Sequence, residues 1–180
     1  MAKTKTGLFH CPASATLDGF PIIDILAMDK TGMRLSLGCD GSATKDGSSL
    51  LDSLRMAYVM QAFHSKSRGG CPSSYEMLKI ATVGGAVIMG RKDIGILEPQ
   101  KGADLFMIDT ERLELSGALH NPANLVARIG VTGPVWLTMV NGKVIFRDGI
   151  LLGVDEKQLA IEAENTCTRV IRDQSPTYRV

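Results

Sequence analysis

The chain has 180 residues, 44% of them hydrophobic and 22% charged, with a formal net charge of +1. That is long enough for one ordinary domain and too apolar for a disordered chain. A near-neutral charge and an aromatic content of 5% argue against nucleic acid or an anionic membrane as a partner.

The basic start, Met1 to Thr6, is followed only by Leu8 and Phe9 before His10-Cys11-Pro12. This is too short for a signal-peptide core, and no run of about 18 apolar residues follows anywhere. A cytoplasmic chain without a membrane span is expected. Gly7 to Cys11 reads as a strand ended by Pro12. Pro21 can open a helix at its first position, with Ile22, Ile23, Ile25, Leu26 and Met28 as its apolar side and Thr31-Gly32 as its stop. Met33, Leu35, Leu37 and Cys39 alternate with Arg34, Ser36 and Gly38, the period of a strand. Strand, helix and strand in this order make a βαβ unit, the building block of parallel sheets.

A long helix is expected from about Ser48 to His64, with Leu50, Leu51, Leu54, Tyr58 and Ala62 on one side and a polar loop, His64 to Gly70, after it. Ser73 and Glu76 have the spacing of a capping box, so another helix starts there and runs to Gly84-Gly85. Strands are expected at Ala103 to Ile108, Pro134 to Val140 and Lys143 to Phe146. Asn141-Gly142 is a hairpin turn, because both residues tolerate positive φ. Asp148-Gly149 turns the chain into Ile150-Leu151-Leu152. A final amphipathic helix, capped by Asp155, carries Leu159, Ala163, Cys167 and Val170. Cysteines stand at 11, 39, 71 and 167, never in a Cys-x-x-Cys spacing, and are expected to be buried or free reduced thiols. Two parallel strands leave open edges and are too few for a stable parallel sheet, so the first half is expected to belong to something larger.

The segment with chemical content is Leu37-Gly38-Cys39-Asp40-Gly41-Ser42 and on through Asp46 to Ser48. A carboxylate at the C-terminal end of a parallel strand, flanked by glycines, can bind a metal through oxygen and accept a proton. On spacing alone the signal is weak, because an Asp-Gly after a strand is more often a turn. Asp46 can orient a neighbouring group or form an Asx turn.

Together with His10-Cys11-Pro12-Ala13-Ser14, this segment resembles the last two barrel strands of the amidohydrolase superfamily, in the deaminase and chlorohydrolase branch that includes 8-oxoguanine deaminase, guanine deaminase and the triazine hydrolases. Ala81-Thr82-Val83-Gly84-Gly85-Ala86, then Gly95 to Leu105, then Val140-Asn141-Gly142-Lys143-Val144 with Asp148-Gly149, resemble later parts of the same pattern in the same order. The resemblance implies an α/β fold: the last strands and helices of a distorted (β/α)8 TIM barrel, then part of a β-sandwich, then a C-terminal helix. Residues 1–95 would be the barrel portion, with Met1 inside the helix before strand seven, 96–154 the sandwich portion and 155–180 the helix.

By resemblance, Asp40 is the metal ligand of the eighth strand and the catalytic proton acceptor, and His10 faces the mouth as a substrate contact or as a structural wall residue. The family's cofactor is Zn2+ or Fe2+. None is expected to be held by this chain alone, because its three histidines, 10, 64 and 120, form no His-x-His. Three departures from the family pattern stand out. Gln100 replaces a usual Gly, Ala15 a usual Asn, and Lys45 a common Asn. His64 is expected to be solvated in its loop, His120 to sit in a turn, and Trp136 to lie in a sandwich core.

The implied activity is hydrolysis of a C–N bond, releasing ammonia from an amino-substituted purine, pyrimidine or triazine ring. The implied partners are a small heterocyclic substrate and an N-terminal barrel half or a second copy of the chain. An inactive remnant or interaction module is the alternative. Another amidohydrolase branch, opening an imidazolone or dihydropyrimidine ring, is a third.

Overall fold

A computed structural model describes residues 2–42, 47–66 and 72–173. Strand β1 (Gly7–His10) pairs in parallel with β2 (Arg34–Leu37), Gly7 opposite Arg34 and His10 opposite Leu37. Leu35, Ser36 and Leu37 are all buried. The alternation in the sequence suggests one covered face, but this strand is covered on both, as parallel strands usually are.

Between the strands lie two short helices, α1 (Pro12–Leu17) and α2 (Ile25–Lys30). Pro12 does end the strand, and it also opens α1 at a position where its missing N–H costs nothing. The expected helix start at Pro21 is corrected. Asp24 is the cap, its side chain accepting from the Ala27 amide at 2.8 Å, and Ile25 begins the helix. Its signature was legible: a short acidic side chain just before an apolar run.

Helix α3 (Leu50–Lys66) buries Ser53, Leu54, Ala57, Tyr58 and Gln61. Leu50, assigned to the inner side, is 40% exposed. The inner stripe instead admits polar Gln61, whose amide donates to the Ile23 carbonyl at 2.7 Å. Helix α4 (Ser74–Lys79) starts at the expected cap, Ser73 accepting from the Glu76 amide. It does not stop at Gly84-Gly85. It widens into a π turn over Ile80–Gly84 and continues as α5 (Gly85–Ile88). Both glycines have ordinary helical angles. Gly84 is small for another reason: a Cβ there would meet the Leu35 carbonyl oxygen at 2.0 Å. The helix rests its backbone on β2.

Ile25, Leu35, Leu37, Leu54, Ala57, Tyr58, Met77 and Ile80 form the main core. Ala127 enters it from residues 109–133, a segment for which the sequence suggested nothing beyond a turn at His120. That segment folds as single turns at Leu113–Leu115 and Ala118–His120, helix α6 (Pro122–Asn124) and a π turn at Leu125–Ile129. Leu115, Ala118, Leu125 and Val131 make a second cluster.

Strands β3 (Leu105–Met107), β4 (Leu137–Val140), β5 (Lys143–Arg147) and β6 (Ile150–Leu151) form an antiparallel sheet in that order. Asn141 and Gly142 turn β4 into β5 with φ of 48° and 78°. Trp136 is not core: it precedes β4, is 41% exposed and lies 5.6 Å from the Arg147 guanidinium, a cation–π pair. Helix α7 (Glu156–Asp173) is capped by Asp155, which accepts from the Gln158 amide at 3.0 Å. Its apolar side is uncovered, with Leu159 54% and Val170 47% exposed. Among the described residues no helix is long and apolar enough to cross a membrane.

Gln100 shows how one departure is accommodated. Glu98 to Lys101 is a turn closed by the Lys101 amide on the Glu98 carbonyl at 3.2 Å. Pro99 holds its second position and Gln100, with φ of 69°, its third. That is the type II pattern, whose third position favours glycine. Gln100→Gly is therefore expected to stabilise the chain by roughly 0.5–1 kcal/mol, the left-handed cost less the entropy of a freer unfolded chain. A rise in the urea midpoint at unchanged slope checks it, and a fall would contradict the turn assignment.

Candidate active site

The C-terminal ends of β1 and β2 set the site. The Gly38 amide donates to the His10 carbonyl at 2.9 Å, carrying the ladder one step beyond β2. Gly38 is small because a Cβ would meet the Cys11 sulfur at 2.8 Å. The left-handed turn falls on Asp40 itself, with φ of 61°, and not on the glycines that flank it. Aspartate visits this region more readily than most side chains because its carboxylate bonds locally. Here Oδ1 accepts from the Gly41 amide at 2.8 Å.

The other oxygen, Oδ2, accepts from the Ser14 hydroxyl at 2.6 Å. Ser14 lies in the first turn of α1, 3% exposed, and joins the strand ends across 26 residues of sequence. No sequence signal singled it out, although it stands in the His10–Ser14 motif. Its hydrogen bond, followed in effect by that of the Gly41 amide, holds the Asp40 carboxyl below the usual carboxylate range. Asp40 is thus an exposed, ionised carboxylate with both oxygens held.

His10 ends β1, 6% exposed, and its Nε2 has no hydrogen-bond partner among the described residues. Burial pushes its pKa down, favouring the neutral ring. Burial of an unpaired nitrogen is costly, which sets His10 apart from an ordinary core residue. The other two histidines lie elsewhere. His64 is corrected from a solvated loop residue: it belongs to α3, half-buried, with Nε2 3.6 Å from Asp24 Oδ2. His120 closes a single exposed turn, as expected. Asp46, Lys45 and Cys71 lie outside the described residues. Cys39, half-buried, and exposed Cys167 are free thiols, and Cys11 is half-buried beside the Gly38 backbone.

A zinc site takes three or more protein ligands. Among the described residues no group of three His, Cys, Asp or Glu side chains is placed to hold a metal ion. The described residues therefore do not fit zinc or iron by themselves, Asp40 being a single carboxylate without a second donor beside it. An apolar cavity of about 520 Å³, lined by Leu51, Leu54, Leu78, Phe106 and Val126 among others, includes neither Asp40 nor His10.

The chain is 42% identical over 172 residues to hydroxydechloroatrazine ethylaminohydrolase of Pseudomonas sp. strain ADP, covering 95% of the chain and 36% of that protein. It is 31% identical over 155 residues to 8-oxoguanine deaminase of Pseudomonas aeruginosa, covering 86% and 34%. A zinc-bound adenosine deaminase from Xanthomonas campestris superposes with a TM-score of 0.83 at 25% identity, over 92% of this chain and 38% of that one. The chain thus spans little more than a third of the length of the relatives it matches. Residues 1–145, which include both strands, Ser14 and Asp40, match the Amidohydrolase family, and the chain belongs to it.

Proposed function

We propose that the chain is the C-terminal part of a metal-dependent amidohydrolase that deaminates an amino-substituted purine, pyrimidine or triazine ring. The observation that carries this is the ionised Asp40 carboxylate at the C-terminal end of a parallel strand, inside the segment that matches the family. In this reading β1 and β2 are the last two barrel strands, within residues 1–95. The sheet β3–β6 is part of a β-sandwich, within 96–154, and α7 lies within 155–180.

Asp40 serves as one metal ligand and as the acceptor of the proton released when water attacks the ring carbon. His10, neutral and buried at the neighbouring strand end, forms part of the substrate wall. Zinc or iron belongs to the complete enzyme, where histidines from a preceding barrel portion complete the donor set. The names of the relatives, an ethylaminohydrolase and an 8-oxoguanine deaminase, support a heterocycle bearing an exocyclic amine as substrate.

A second reading, an inactive remnant or an interaction module that pairs with a partial barrel or with itself, is favoured by the uncovered apolar side of α7 and by Phe9, 50% exposed on β1. One assay separates the two. The purified chain with added zinc is expected to release no ammonia from aminotriazines or aminopurines. The same chain co-expressed with an amidohydrolase N-terminal portion carrying His-x-His is expected to bind it and to turn over. Turnover by the chain alone, abolished in Asp40→Ala, would overturn the partial-enzyme reading. A stable monomer that ignores the N-terminal portion would favour the remnant.

A further inference from the structure

We infer that Ser14 is the positioning residue for Asp40, the side chain that holds its carboxylate in one orientation at the strand end. The inference rests on the reading of Asp40 as the functional carboxylate.

The contact is short, 2.6 Å, within the range of a hydroxyl bonded to an ionised carboxylate. Its partners differ in exposure. Ser14 is 3% exposed, whereas Asp40 is open to solvent. A surface pair would compete with water on both sides, but here the donor is fixed in a packed helix turn. The hydroxyl has one proton, and it goes to Asp40. Nothing in the local structure of α1 requires that bond, since the cap position belongs to Cys11 and the first turn opens on Pro12.

Asp40 needs such a restraint. Its backbone sits in the left-handed region, which is unfavourable for a non-glycine residue. The Gly41 bond is local and travels with the turn, so it cannot fix the turn relative to the sheet. The Ser14 bond runs from the first turn of α1 to the turn after β2 and does fix it. With Oδ2 tied to Ser14 and Oδ1 to Gly41, the carboxylate plane cannot rotate freely. An orientation held before a ligand arrives spares the entropy of ordering it later.

The test uses the whole isotope-labelled chain at constant pH near neutrality and reads three signals: the Gly41 amide proton, the Asp40 carboxyl carbon, and the φ-sensitive α and β carbons of Asp40. In Ser14→Ala the Gly41 amide proton is expected to move upfield as its acceptor loses orientation. The Asp40 carbons are expected to move toward random-coil values, while residues of α3 and β4 keep theirs. Ser14→Thr retains the hydroxyl and is expected to restore all three. Ser14→Cys, close in size but a weak donor, is expected to follow Ala, and it replaces Ala if that variant fails to fold. Unmoved Asp40 signals in Ser14→Ala or Ser14→Cys overturn the inference, as does a threonine variant that behaves like alanine. No readout involves turnover. A silent enzyme with these shifts would therefore count against the proposed function, and an active enzyme without them would count against Ser14.

Discussion

Gly84→Ala is expected to destabilise the chain by about 2 kcal/mol or more, against the usual direction for a helical glycine. Gly84 has helical angles, φ −56° and ψ −45°, and replacing glycine by alanine inside a helix ordinarily gains about 1 kcal/mol. Here the new methyl would lie 2.0 Å from the Leu35 carbonyl oxygen and 3.1 Å from its carbon. Both are backbone atoms of β2, so no rotamer can move aside. Either the helix lifts off the strand or the strand shifts, and overpacking of this kind typically costs 1–3 kcal/mol. The cost spreads, because Ile80 and Met77 on the same helix pack in the core with Leu35. Gly85→Ala is the control. Its methyl would meet only the Ser36 hydroxyl, at 3.2 Å, a side-chain atom that can turn away, and a change within about 0.5 kcal/mol is expected. Urea midpoints of both variants decide it. Gly84→Ala at or above the parent's stability would contradict the seating of this helix on β2.

The same pair of glycines marks where sequence reading stops. Gly-Gly after an amphipathic run suggests a helix end. Only the packing partner, a strand some fifty residues earlier, reveals that the glycines permit contact instead. Legible features were those whose cause is local. Asn141-Gly142 turns because both residues tolerate positive φ, and the Ser73 and Asp155 caps satisfy amides within three residues. Residues 109–133 were opaque because single turns of three to five residues carry no readable period. They nevertheless supply the second cluster and Ala127. At the candidate site, the position of Asp40 just past β2 was legible from the strand period before it. Ser14 was not, because its role depends on a partner 26 residues away. His64 was misplaced because helix α3 extends through it, bringing it near Asp24, a contact that no pattern in the chain announces.

Asp40→Asn tests the proposed function where the largest loss is expected. The 42% identity over 172 residues allows this chain to replace the matching segment of the Pseudomonas ethylaminohydrolase, giving a hybrid with a complete N-terminal portion. Asparagine keeps the size of the side chain and an oxygen able to accept from Ser14, so the turn at the end of β2 should survive. It loses the negative charge and the basicity. A general base contributes about 10²–10⁴-fold, and a carboxylate that also ligates a metal contributes more than its proton transfer. kcat is therefore expected to fall at least about 10³-fold, with a lower zinc content by elemental analysis and, once both proteins are stripped of zinc by chelator, the same unfolding midpoint. The pH profile adds a second check. The Ser14 and Gly41 bonds depress the Asp40 pKa, so its ionised form persists below the ordinary carboxylate range, and activity that depends on it should fall only at still lower pH. A hybrid in which Asp40→Asn retains turnover within tenfold of its parent would remove Asp40 from the chemistry, and this carboxylate would then be a strained turn residue and no more.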